Sequence, residues 1–93
     1  MMFTRIMTVA IFIPGAQTLK DKRQVLQSML VRLRRLNIAV AEIAHQEQWQ
    51  RAALGIAMLG SDLAYLEKLQ QQIIDLIENN YPVEITQLET NDY

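Results

Sequence analysis

The most polar cluster of chemistry-bearing side chains is His45, Glu47, Trp49, Gln50 and Arg51. A histidine with a carboxylate two residues on could serve as a general acid/base pair or a weak metal ligand. Catalysis needs more than that pair, and no nucleophile or oxyanion donor can be named near it in sequence. His45 is the sole histidine and cysteine is absent. A multi-histidine site, a thiolate metal site and a disulfide framework are therefore excluded within one chain, and no cofactor is implied. The plainer expectation is that Trp49 clamps the segment against a sheet or a neighbouring subunit, with Arg51 pairing Glu42 or Glu47 across a turn. Aromatic and arginine side chains anchor interfaces readily. His45, Glu47, Trp49 and Arg51 thus read as a contact surface.

A second group lies at Gly15 to Arg23. Pro14 to Thr18 leads into a helix whose first backbone N–H groups and dipole favour an anion, which makes Gly15 and Thr18 a candidate anion site. Lys20, Lys22 and Arg23 fall in its first turns, where acidic residues are preferred. Arg32, Arg34 and Arg35 load its far end, where positive charge suits the helix by itself. A solvated helix face accounts for much of this pattern. It accounts least well for the basic start, so Lys20, Lys22, Arg23, Arg34 and Arg35 are read as a surface for RNA phosphate or an acidic partner.

Six elements must position these groups. Phe3 to Ile13 is β-branched and aromatic, and Pro14-Gly15 ends it. Thr18, with Asp21 three residues on, opens a helix with the apolar stripe Val25, Leu26, Met29, Leu30, Leu33 and Leu36, ending at Asn37. Ile38 to Ala44 and Arg51 to Leu59 read as strands joined by the polar link 45–50. Ser61 or Asp62 caps a second helix with stripe Leu63, Leu66, Leu69 or Gln70, Ile73 and Ile77, ending at Asn79-Asn80. Val83 to Glu89 is a last strand, and Thr90 to Tyr93 reads as a loose tail. The order β-α-β-β-α-β is that of an α+β ferredoxin-like βαββαβ sandwich. Right-handed crossovers then give an antiparallel sheet of order 4-1-3-2 with both helices on one face. All 93 residues read as one domain.

Net charge is −1 and 51% of residues are hydrophobic. That apolar fraction argues against a disordered chain. The balance hides a split: residues 1–51 carry eight basic side chains against three acidic ones, and residues 52–93 one against seven. The early apolar run Ile6 to Ile13 is far shorter than the ~20 residues of a spanning helix. Arg5 before that run and Ala16 after it weakly mimic a signal peptide, but cleavage would remove the first strand. The chain reads as mature, soluble and cytoplasmic, with no membrane partner.

Two stretches carry a family resemblance. Ile13-Pro14-Gly15-Ala16-Gln17-Thr18-Leu19-Lys20-Asp21-Lys22-Arg23 resembles the "PGxxSLKxKR" opening of the YlxP-like family, small bacterial proteins grouped as domain of unknown function 503. Val40-Ala41-Glu42-Ile43-Ala44-His45-Gln46-Glu47-Gln48-Trp49-Gln50-Arg51-Ala52-Ala53-Leu54-Gly55 is similar to its "VAEVDHQDLWQRATLG" segment. The resemblance spans nearly the whole chain and implies a ferredoxin-like fold. It implies no chemistry, because the family has no established activity. Its genes often lie among translation and ribosome-maturation genes, which implies association only. Ala44 departs from the acidic residue common there, leaving no carboxylate to carry a role at that position.

Two enzymatic or nucleic-acid readings of this fold fail on residue type. An acylphosphatase needs a loop arginine for phosphate and an asparagine for water, yet Gly15 to Thr18 holds no arginine and no asparagine precedes Asn37. Base stacking on the sheet needs aromatics on its central strands. The third strand instead alternates Ala53, Gly55, Ala57 with Leu54, Ile56, Met58.

The first of those sets is expected to face away from the helices, with Thr8, Ala10, Ala39 and Ala41 beside it. A wet face should be polar, but this one is small and apolar, the mark of a partner surface. A homo-oligomer, a dimer first, packed through Thr8, Ala10, Ala39, Ala41, Ala53, Gly55 and Ala57 is therefore expected. The functional expectation is a non-enzymatic accessory protein docking on RNA or a ribonucleoprotein. The alternatives are a pure self-assembly module, basic half against acidic half, and a small anion-binding sensor.

Overall fold

In the computed structural model, which describes residues 1–93, six elements follow in order: β1 (Phe3–Phe12), α1 (Leu19–Leu33), β2 (Ile38–Ala44), β3 (Arg51–Gly60), α2 (Leu63–Asn80) and β4 (Glu84–Asp92). The sheet order is β2-β3-β1-β4, all neighbours antiparallel. Read from the other edge, this is the expected 4-1-3-2, and the fold is ferredoxin-like. No helix is long and apolar enough to cross a membrane.

Strict alternation sorts each central strand into two faces. Met7, Val9 and Ile11 of β1 and Ala52, Leu54, Ile56 and Met58 of β3 are buried toward the helices. They join Leu26, Met29 and Leu33 of α1 and Leu66, Leu69, Ile73 and Ile77 of α2 in one core cluster. Leu63, expected on the α2 stripe, is instead 45% exposed. It stands in the first helical position, where the chain has not yet turned onto the sheet. Thr18 caps α1 through Asp21 N–H and Asp62 caps α2 through Tyr65 N–H. α1 stops at Leu33, short of Asn37, because its last turn tightens: Arg35 and Leu36 N–H donate three residues back, to Arg32 and Leu33 carbonyls.

The C-terminal segment corrects an expectation. Thr90 to Tyr93 is not a loose tail: β4 runs to Asp92, and Tyr93 and Thr4 exchange both backbone hydrogen bonds, at 2.7 and 3.1 Å. Inward-facing Arg5 explains why. Its Nε and Nη2 donate to the two Asp92 carboxylate oxygens at 2.6 and 2.9 Å. Its Nη1 donates to Glu67 and Gln70 on α2, each at 2.9 Å. One guanidinium thus ties β1 to the end of β4 and to the second helix, in the bidentate geometry that arginine favours.

The hydrogen bonds from Arg5 hold the Asp92 carboxyl below its ordinary value, and Asp92 in turn strengthens the hold of Arg5 on its proton. A carboxyl depressed on folding stabilises the native state above its unfolded pKa of about 3.9, and that contribution is lost as pH falls through the native value. Asp92→Asn is therefore expected to melt lower than the wild type at neutral pH. The gap should close as pH is lowered into the acid range, as read by thermal melts along a pH series. Equal pH dependence of the two proteins would refute a stabilising role for this pair.

Candidate functional site

The link between β2 and β3 is organised by a lysine. Lys22 lies one turn before Leu26 on the buried stripe of α1 and is 1% exposed. Its ammonium donates to the backbone carbonyls of His45 at 2.6 Å and Gln48 at 2.7 Å. It also contacts Glu42 Oε2 at 2.9 Å. That contact lies outside hydrogen-bonding alignment, so the buried Oε2 has charge compensation and no hydrogen-bond donor. Two carbonyl acceptors and a facing carboxylate together compensate the buried charge.

The carbonyls come into reach because the link is a tight turn. Gln48 N–H donates to the His45 carbonyl, and His45 adopts φ 66°. This left-handed conformation is uncommon outside glycine, though histidine is enriched among the residues that adopt it. Gln50 Nε2 donates to the carbonyls of Pro14 and Ala16, fastening the link to the β1–α1 loop as well. Link, loop and first helical turn thus form one end of the molecule. On the sheet side of that end, Phe12, Glu47, Gln48, Trp49, Gln50 and Arg51 line an open depression of about 380 Å³.

Several expected roles change with this geometry. Lys22 is not a partner contact, because its ammonium is enclosed and fully engaged. Arg51 pairs with neither Glu42 nor Glu47: Glu42 is taken by Lys22, and Arg51 forms no ion pair. Trp49 is only partly covered by its own chain, with 49% of it exposed. At the anion candidate, the Thr18 hydroxyl accepts from Asp21 N–H and the Asp21 carboxylate accepts from Gln17 N–H at 3.0 Å. A carboxylate of the chain itself thus already lies against the loop that leads into the helix. Gly15 is exposed, and an added Cβ would meet nothing within 4 Å there. His45 lies in this turn with its carbonyl on Lys22, and no three acidic or histidine side chains gather to hold a metal.

What remains of the basic group is clear of the core. Lys20, Arg23, Arg34 and Arg35 are exposed, and no carboxylate pairs with any of them. Lys20 and Arg23 share the outer side of α1 with Gln24, Gln27 and Val31, and Arg34 and Arg35 follow in the turn just past its end. Arg32 is used differently, over the Tyr81 ring at 5.8 Å and donating to Asn80.

The opposite face of the sheet carries Ile6, Thr8, Ala10 and Phe12 of β1, Gly55, Ala57 and Leu59 of β3, and Ala39, Ala41 and Ile43 of β2, by strand alternation. Ile6, Ile43 and Leu59 are 36%, 52% and 52% exposed. Gly55 is glycine for a steric reason: a Cβ there would stand 2.9 Å from Ile43 Cγ2, which lies across it. Ala53 is the exception on this face, only 6% exposed. The bulge in β2 sets Ala44 opposite it and Ala10 flanks it on β1, so it offers little surface to a partner. β4 continues the face in polar residues, Glu84, Gln87, Glu89 and Asn91.

Removing the Lys22 charge while leaving Glu42 in place strands a carboxylate that is mostly enclosed. Lys22→Met is expected to cost about 3 kcal/mol in urea unfolding. Adding Glu42→Leu should recover much of that loss. If Lys22→Met alone were neutral, the ammonium would not be what closes the link.

Residues 4–90 match the family model described as protein of unknown function (DUF503). The uncharacterized protein YlxP of Bacillus subtilis (strain 168) is 36% identical over 72 residues, covering 76% of this chain and 78% of that one. Two solved structures share the fold at TM-score 0.50. The de novo designed protein Foldit4 is 15% identical and aligned over 97% of this chain and 96% of its own. Protein SO0527 from Shewanella oneidensis is 16% identical, over 97% and 89%. At such identities these two speak for the arrangement of strands and helices alone. The family model covers nearly every residue from β1 to β4, and on that match the chain belongs to the DUF503 family.

Proposed function

We propose that this is a non-enzymatic accessory protein that binds RNA through the outer side of α1, in keeping with a role in translation or ribosome maturation. The observation that supports it is the set of four exposed cations, Lys20, Arg23, Arg34 and Arg35, with no carboxylate paired to any of them. Unpaired cations along one helix can neutralise successive phosphates, and the intervening Gln24 and Gln27 add neutral hydrogen-bonding groups. The near-zero net charge of the chain is no obstacle, because much of the acidic charge lies elsewhere, on α2 and β4. A second reading, a module that assembles protein, is favoured by the apolar sheet face on the other side of the fold.

Binding of this kind releases counterions. With four phosphate contacts, log affinity against log salt should have a slope of about −3 to −4. Lys20→Gln with Arg23→Gln should weaken RNA binding at every sequence tested and reduce the slope by about 2. Fluorescence anisotropy with labelled RNA over a salt series measures both. Retention of an acidic protein under conditions where RNA is not bound would transfer the surface to that partner instead.

A further inference from the structure

The apolar sheet face lies on the layer opposite α1, and the RNA reading does not use it. Its middle, over β2, β3 and β1, carries no charge: Ala39, Ala41, Ile43, Gly55, Ala57, Ile6, Thr8 and Ala10 occupy it. All of these but Ala10 border a shallow groove of about 390 Å³ along β2, β3 and β1. The charges on this face stand at its margin. At one end Arg51, Phe12 and Glu84 are in register across β3, β1 and β4. Arg51 and Glu84 flank the phenyl ring from either side, two strands apart, and neither has an ion-pair partner within the chain.

We propose that a second copy of this chain covers this face, related by a two-fold axis running parallel to the strands. Charge selects both the occupant and the operator. An axis parallel to the strands lays β3 of one copy over β1 of the other. Arg51 is thereby brought to the partner copy's Phe12 and Glu84 row, and the reciprocal contact forms by symmetry. An axis across the strands would stack β4 on its own copy and oppose Glu89 to Glu89, which like-charge repulsion disfavours. Size agrees. Four strands about 4.8 Å apart, most of them nine or ten residues long at about 3.3 Å each, present a flat area on the order of 600 Å² before side-chain relief. A stable interface of standard size uses about 800 Å² of accessible surface per partner. Such a pairing therefore needs nearly the whole face, as two stacked sheets supply and a short peptide does not. Small residues at Ala41, Gly55 and Ala57 let the two sheets approach closely, while the exposed Ile6 and Ile43 fill the space between them.

Analytical ultracentrifugation of the full chain tests this, with circular dichroism confirming that each variant is folded. The wild type is expected to be a dimer at micromolar concentration. Ala57→Glu, on the exposed side of β3, should give a folded monomer. Arg51→Glu and Glu84→Arg should each weaken the dimer by about tenfold or more, and the double exchange should restore it. Lys20→Gln with Arg23→Gln should leave the dimer intact, so loss of RNA binding and loss of dimerisation are read separately. A wild-type monomer throughout that range overturns the proposal. So does a dimer indifferent to Ala57→Glu, or a double exchange that is no better than either single one.

Discussion

One buried ammonium holds the β2–β3 end of this molecule together. Lys22 reaches from the inner side of α1 to two carbonyls of the β2–β3 link and to Glu42 at the end of β2. A lysine charge removed from water is tolerated only when its protons are spoken for, and this link is shaped to do so. His45 takes a left-handed backbone, Gln48 folds back on it, and β2 bulges between Glu42 and Ala44. The bulge in turn sets Ile43 across Gly55 and Ala44 opposite Ala53, so the relief of the outer sheet face follows from a contact made on its inner side.

The fold was legible because each element obeys its own period. The capping residues Thr18 and Asp62, the alternation in β1 and β3, and the i, i+3/i+4 stripes on both helices point to the same βαββαβ order, a consistency expected of a sequence that specifies one structure. The two buried cations were legible in principle and were obscured by their charge. Lys22 precedes Leu26 by four residues and so extends the buried stripe; Arg5 alternates with Met7 and Val9 and so must face inward. Reading Lys22 as a surface cation weighted residue type above position. Their partners could not be read from sequence. Glu67 and Gln70 meet Arg5 once α2 packs on the sheet, and Asp92 only after β4 has paired beside β1, which is also why the polar ending Thr90 to Tyr93 resembled a tail.

Once those two cations are set aside, the surface charge has a simpler logic. Arg5 and Lys22 account for two of the basic residues in the first half and engage Asp92, Glu67 and Glu42. Apart from Arg32, which lies over Tyr81, the cations left on α1 and just past its end are exposed, while the sheet's open face keeps its charges at the margins. The sheet therefore separates two surfaces of different chemistry, a cationic helix on one layer and an apolar plane on the other.

That separation has a geometric consequence. Two copies joined through their open sheet faces turn their helices outward, so both α1 stripes remain accessible on opposite sides of the pair. Neither surface obstructs the other, and the cations of two chains become available to one long polyanion. Binding one stripe raises the effective concentration of the second, so avidity can exceed the affinity of either stripe alone if the polymer can span both. A single α1 offers only four free cations, a modest number for holding nucleic acid at physiological salt. In the proposed dimer the apolar plane would supply the multiplicity that the charged helix, on its own, lacks.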